Sequence, residues 1–368
     1  MAGLTRRDHA FSIGHCALLG IALAGALTAL SGCKEPPAPS SGAARSAEAG
    51  WQITFGPKDD EDASILQARD GTLYLAWFTP VPGGAHNLFI KTSRDAAQWT
   101  APVRAIVSAE KDWYPTLLQD HAGLFHMTWM RDSRGVRNVW YSRSHDGLAW
   151  QPARALTDER TADWAPVLSE DRAGRLWIVW VSQRTGNREL FVMFSDDRGG
   201  SWSTPQQITH DPGEDDLPFL AQRADGTYAL VWSRYDGREG QNWVTNHTAD
   251  ILSASSPDGL TWSAPRYITH DPPAQPHLDS LPSLFRDAQG TDYVIWTTTR
   301  MVPGGRTGHN VYLPLDAAAP GVVPVIASEG FLPRVILADH GWNLLVWTAR
   351  SRQPGRKNRD VFARWLSP

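Results

Sequence analysis

The sequence predicts an all-β chain: a six-bladed β-propeller of four-stranded antiparallel blades. Three observations predict it. Six tryptophans that each end an apolar run, Trp77, Trp129, Trp180, Trp232, Trp296 and Trp347, stand 52, 51, 52, 64 and 51 residues apart. Six residues before each stands a glycine: Gly71, Gly123, Gly174, Gly226, Gly290 and Gly341. Fourteen residues before the anchors stand Pro115, Pro166, Pro218, Pro282 and Pro333, with Ala63 in the first repeat. A fixed period of roughly 50 residues marks a repeat array rather than one layered core.

Each element of the repeat follows from these anchors. Glycine supplies the positive φ of a tight hairpin, so it joins a first strand to a second. The second strands, such as "LWIVW" (176–180) and "YALVW" (228–232), are short, β-branched and aromatic. Third strands follow ("NVWYSRS", "LFVMFS", "DILSASS"), then an Asp-containing turn, then a short fourth strand ("PVRAI", "PQQIT", "PRYIT"). The last repeat stops just after its third strand, "RDVFARWL" (359–366). Its missing outer strand is available from "WQITF" (51–55), which is expected to close the ring and remove an exposed sheet edge.

Residues 1–33 read as an address rather than as fold. Arg6 and Arg7 precede an apolar run from Cys16 to Leu30, too short to span a bilayer well. The run ends in "LSGC" (30–33), which resembles a bacterial lipobox. That resemblance implies cleavage before Cys33 and lipidation of Cys33, and Lys34 after it implies outer-membrane sorting. An ordinary signal peptide cut elsewhere is the alternative. Residues 34–50, rich in Pro, Ser, Ala and Gly, read as a flexible tether, and residues 51–368 as the propeller. Cys16 and Cys33 are the only cysteines, so the fold must hold without a disulfide. A net charge of −4 with no basic stripe argues against nucleic acid as a partner.

The Asp turns recur at Asp95, Asp146, Asp197 and Asp258, followed by Trp99, Trp150, Trp202 and Trp262, and three of them keep a glycine. They resemble the Asp-box, or BNR-repeat, propellers of the sialidase superfamily. In that family the boxes lie on the face opposite the active site. Physically, the carboxylate accepts turn N–H groups and the tryptophan packs between blades, so the boxes read as structure.

The chemistry is therefore expected at the other mouth. Seventeen residues before the anchors stand Asp60, Asp112, Asp163, Asp215 and Asp279, with Gly330 breaking the series. Third strands begin with Asn87, Asn138, Glu189, Asp250, Asn310 and Asp360, immediately preceded by His86, Arg137, Arg188, Ala249, His309 and Arg359. Asp112 and Asp163 are the candidate acid and base. Arg137, Arg188, Arg234, Arg359, His86 and His309 are candidates to bind substrate, with Trp113 and Trp164 stacking on sugar faces. Pairing between these Asp and Arg rings is the structural alternative. Catalytic sialidases use a Tyr nucleophile activated by Glu, an Asp acid/base and three arginines, and only Tyr235 with Glu239, in the long loop after Trp232, suggests such a pair. The family's first arginine stands two residues before a proline; here those positions hold Trp113, Trp164, Asp216, Ser280 and Phe331. No cofactor and no metal site is implied, since His210 and His270 sit in duplicated "ITHDP" stretches without ligand spacing, although calcium among the Asp side chains fits the pattern. The expectation is a monomer on a lipid anchor in the cell envelope, bound to the membrane through that anchor alone. It recognises a glycan or envelope polymer and acts as a sialidase-like glycoside hydrolase; the alternative is a non-catalytic binding platform.

Overall fold

The computed structural model describes residues 50–158, 161–235, 248–270, 277–299, 308–317, 325–327, 330–337 and 343–366. The lipobox, Cys33 and nearly all of the tether lie outside them, as does Glu239. Regular structure among the described residues is entirely β, and no helix there is long and apolar enough to cross a membrane.

A two-residue strand, β1 (Trp51–Gln52), comes first. Six antiparallel meanders follow. The first is β2 (Glu61–Gln67), β3 (Leu73–Pro80), β4 (His86–Ser93) and β5 (Val103–Ile106). The second is β6 (Lys111–Gln119), β7 (Phe125–Ser133), β8 (Val136–Ser144) and β9 (Arg154–Ala155). The third is β10 (Asp163–Glu170), β11 (Leu176–Ser182), β12 (Glu189–Ser195) and β13 (Gln206–Gln207). The fourth is β14 (Glu214–Gln222), β15 (Tyr228–Tyr235), β16 (Ala249–Ser256) and β17 (Arg266–Tyr267). The fifth is β18 (Asp279–Arg286), β19 (Asp292–Thr298), β20 (His309–Pro314) and β21 (Val325–Ala327). The last has three strands of its own, β22 (Phe331–Leu337), β23 (Asn343–Arg350) and β24 (Arg359–Leu366). Strand β1 supplies its fourth, pairing Trp51 with Ala363 and Gln52 with Phe362. A single parallel bridge, His86 to Lys111, joins the first two meanders into one sheet.

The first strand of each meander touches that of the next, from β2 through β22, and β22 touches β2. Each first strand carries a bulge in its pairing with the second. The bulge residues Asp62, Tyr114, Ala165, Leu217, Leu281 and Leu332 all have φ between 50° and 62°. Proline follows five of them, and it suits a bulge on an edge strand because it has no N–H to leave unpaired. The core lies between neighbouring meanders. Trp77 and Leu73 share one cluster with Leu344 and Val361, joining the first meander to the last, and Val179 and Trp232 share another.

The Asp turns tie neighbours together. Asp146 accepts the N–H groups of Leu148 at 2.8 Å and Ala149 at 2.7 Å, and Asp258 does the same for Leu260 and Thr261. Those bonds hold the Asp258 carboxyl down at about 2. The box glycines sit at positive φ beneath an aromatic ring of the preceding meander, Gly147 under Tyr74 and Gly259 under Trp177.

Candidate functional site

A cleft of about 610 Å³ opens where the first three meanders begin their first and third strands. One wall is aromatic. His86 stacks on Phe78 with ring centroids 5.2 Å apart, and Trp113 meets both edge-on, giving its indole N–H to His86 Nδ1. Burial, and then Lys111, lower the His86 pKa, which favours the neutral ring with Nδ1 as acceptor. Tyr114 and Trp164 continue this wall.

Asp59, Glu61 and Asp62 line the same cleft, Glu61 as the cross-strand partner of Phe78. Asp62 occupies the first bulge, and its carboxylate accepts the Tyr114 N–H at 3.4 Å. Burial, then the neighbouring Glu61, push the Asp62 carboxyl up to about 7. Burial also raises Glu61, against the pull of Arg359 at 2.9 Å. Below the cleft, a water-sized cavity of about 20 Å³ is lined by bulge residues of all six first strands and by Arg334. Burial lowers the Arg334 pKa to about 10, while Asp62 and Tyr114 oppose that shift.

Arg188 and Arg137 complete the lining with Gln183. Arg188 pairs with Glu214 at 3.4 Å and Asp216 at 3.1 Å. Asp216, 1% exposed, also accepts the Trp164 indole N–H at 2.8 Å, so one carboxylate fixes both a cleft cation and a cleft aromatic. Burial raises the Asp216 pKa, with Arg188 working against it.

Five expected substrate contacts, His86, Trp113, Arg137, Trp164 and Arg188, thus share the cleft. Others do not. Asp112 and Asp163, expected as acid and base, are fully buried. Asp112 is held by Arg131 at 2.6 Å, Trp129 at 3.0 Å and Ser108 at 2.8 Å, and Asp163 by Arg184 at 3.1 Å. Their partners are arginines at or just beyond the ends of second strands, not Arg137 and Arg188. With no surface left for substrate, both serve the fold. Arg234 likewise spends its guanidinium on Asp215 and Asp211. Tyr235 is buried, its hydroxyl on Ser280 at 2.8 Å, and burial raises its pKa, so it is no exposed nucleophile. Its expected activator, Glu239, lies outside the described residues. Arg359 reaches the cleft through Glu61 and, by its backbone N–H, Asp59, and among the described residues the buried ring nitrogens of His309 have no hydrogen bond. Among the described residues no three His, Cys, Asp or Glu side chains stand together as metal ligands.

Sequence reasoning missed Asp62, Glu61, Phe78 and Arg334. The signal lay one position from the proline series: Asp62 and Tyr114 stand where the other repeats carry Ala165, Leu217, Leu281 and Leu332.

The sequence pattern described as the BNR repeat-like domain matches residues 135–302. No curated protein sequence matches the chain. Among solved structures, the GH93 α-L-arabinofuranosidase of Fusarium graminearum, complexed with arabinobiose, superposes with a TM-score of 0.62 at 16% identity, covering 86% of this chain and 96% of its own. The leech intramolecular trans-sialidase gives 0.60 at 12% identity, covering 87% of this chain and 68% of its own. A Dyadobacter fermentans protein of unknown function gives 0.66 at 16% identity, covering 85% and 96%. The fold is the β-propeller of these structures, and residues 135–302 carry the BNR repeat-like pattern within it. At such identities the likeness is one of fold. In this propeller the Asp boxes end third strands while the cleft gathers residues where third strands begin, so the two lie at opposite ends of that strand.

Proposed function

We propose that the chain is a lipid-anchored envelope protein whose six meanders form a closed six-bladed ring, and whose cleft recognises a glycan and hydrolyses it. One observation carries the functional reading: Phe78, His86 and Trp113 share a cleft of about 610 Å³ with the carboxyls of Glu61 and Asp62. Aromatic faces stack on the C–H faces of a pyranose or furanose, and paired carboxyls suit hydroxyl recognition and proton transfer at a glycosidic oxygen. The cycle of first-strand contacts from β2 to β22 and back supports the ring, as does β1 completing the last sheet. The glycoside hydrolases among the similar structures give the reading its chemical direction.

The binding-platform reading has its own support. Asp112, Asp163 and Asp215 are all consumed by arginines, which removes the carboxylate ring from catalysis. Release of product from a panel of natural and fluorogenic glycosides separates the two. Turnover that is lost in Asp62→Asn and Trp113→Ala, both still folded, makes the cleft an active site. Glycan binding without turnover, lost in Trp113→Ala alone, makes it a recognition platform. For the anchor, Cys33→Ser is expected to abolish acyl labelling and move the protein from the membrane to the soluble fraction.

A further inference from the structure

At three of the six meander boundaries, the residue that precedes or opens a third strand meets the residue two before the proline position of the next meander. His86 meets Trp113, Arg188 meets Asp216, and Arg359 meets Glu61. Where the first partner is an arginine, the second is thus a carboxylate, which neutralises it. The boundary between the second and third meanders breaks that rule. Across from Arg137 the sequence places Trp164, whose indole N–H is already given to Asp216. Among the described residues Arg137 has a single ion pair, Asp132 on its own hairpin at a loose 3.6 Å, and its side chain is 44% exposed. It nonetheless lines the cleft, as do the tryptophans Trp113 and Trp164.

We propose that Arg137 is the specificity-determining residue of the cleft and takes the carboxylate of an acidic sugar, a hexuronate within an oligosaccharide. This rests on the glycan reading above. A guanidinium presents a planar fork that matches a carboxylate with two parallel hydrogen bonds, which is the pairing that a neutral hydroxyl cannot give. The cleft is also electrically polar: Asp59, Glu61 and Asp62 lie on the first meander, Arg137 on the second. A sugar with one carboxylate fits this polarity in one direction, with the acid at Arg137 and the uncharged glycosidic side toward Asp62. A densely sulfated chain would meet the carboxyl wall and be repelled.

The test is calorimetric titration of the full chain with tetrasaccharides that carry a single galacturonate, mannuronate or glucuronate among neutral residues, a sialyl-oligosaccharide, and the carboxyl-reduced form of each. At least one uronate oligomer is expected to bind about tenfold or more tightly than its reduced form, with the gap narrowing at high salt. Arg137→Gln should erase that gap without changing thermal stability, and Arg137→Lys should restore part of it. Equal binding of acidic and reduced forms, or a preference that survives Arg137→Gln, overturns the assignment and leaves glycan recognition standing. A carboxylate preference seen with the sialyl probe alone also overturns it, because the acid would then not be a hexuronate. Failure of every sugar, acidic and neutral, overturns both.

Discussion

The indole N–H of Trp129 donates to the Asp112 carboxylate at 3.0 Å, across a sequence separation of 17 residues. The same bond joins Trp77 to Asp60, Trp232 to Asp215 and Trp296 to Asp279. It fastens the start of a first strand to the core tryptophan of the second. In the third meander, among the described residues, Arg184 alone answers Asp163, and the Trp180 indole nitrogen has no partner. In the last meander the aspartate is replaced by Gly330, where a Cβ would fall 2.7 Å from the Thr348 carbonyl.

Asp112→Ala should therefore unfold the protein readily rather than disable a folded one. It leaves Arg131 and the Trp129 N–H buried without their acceptor, a loss of about 3–5 kcal/mol for a broken buried ion pair. Denaturant titration checks this. A stable, folded and inactive Asp112→Ala protein would return Asp112 to the list of catalytic groups.

Trp51 bears on closure. It pairs with Ala363 of the last meander, and its indole N–H donates to the Ala96 carbonyl of the first at 2.9 Å. Trp51→Ala removes a buried aromatic from a core that both meanders share, at about 3–5 kcal/mol. In a closed ring that loss lowers the melting temperature of the whole cooperative unit. A local change, with protease sensitivity confined to the last meander, would argue for an open array.

Gly259 tests the Asp turns as structure. At φ +77° its added Cβ would stand 2.6 Å from the Trp177 ring. Left-handed backbone strain and overpacking together predict a loss of about 2–4 kcal/mol for Gly259→Ala, read from the shift in denaturation midpoint. Glycan binding by the fraction that remains folded should be unchanged.

The repeat was legible in the sequence because its signals are local: glycine turns, tryptophan anchors, and strands with β-branched and aromatic residues. The 17-residue spacing recurs in five repeats but did not announce the Asp–Trp bond, which forms in four of them. What spacing could not carry was which repeat answers which. Arg137 and Arg188 share a position, yet Arg188 is answered by Asp216 of the next meander while Arg137 faces Trp164 there. Nor did the proline series announce that the residue before it would sit at positive φ, a conformation that the pre-proline position disfavours and that the bulge imposes. Asp62 was hidden further because its repeat has Ala63 where the others have proline. It stands out only once the bulges of all six first strands are known to line one cavity.

Asp62 makes the last prediction, through its carboxyl at about 7. Below about pH 4 both folded and unfolded chains hold this proton. From there to pH 7 the native state keeps a proton that the unfolded chain has released, so Asp62 lowers stability as pH rises. Above 7 both states are ionised and the cost is constant. Asp62→Asn, which cannot ionise, should match the wild type near pH 4 and exceed it by pH 8. The gap should be on the order of 2 kcal/mol once solvent screening is allowed for. Denaturation curves of the two proteins at pH 4, 6 and 8 measure it directly. If the cleft hydrolyses glycosides with Asp62 as proton donor, turnover should hold while the folded carboxyl keeps its proton and decline as pH passes 7. A gap that shrinks with rising pH would mean that Arg334 holds the carboxylate ionised. Asp62 would then be a fixed charge at the floor of the cleft, and a proton donor would have to be sought at Glu61.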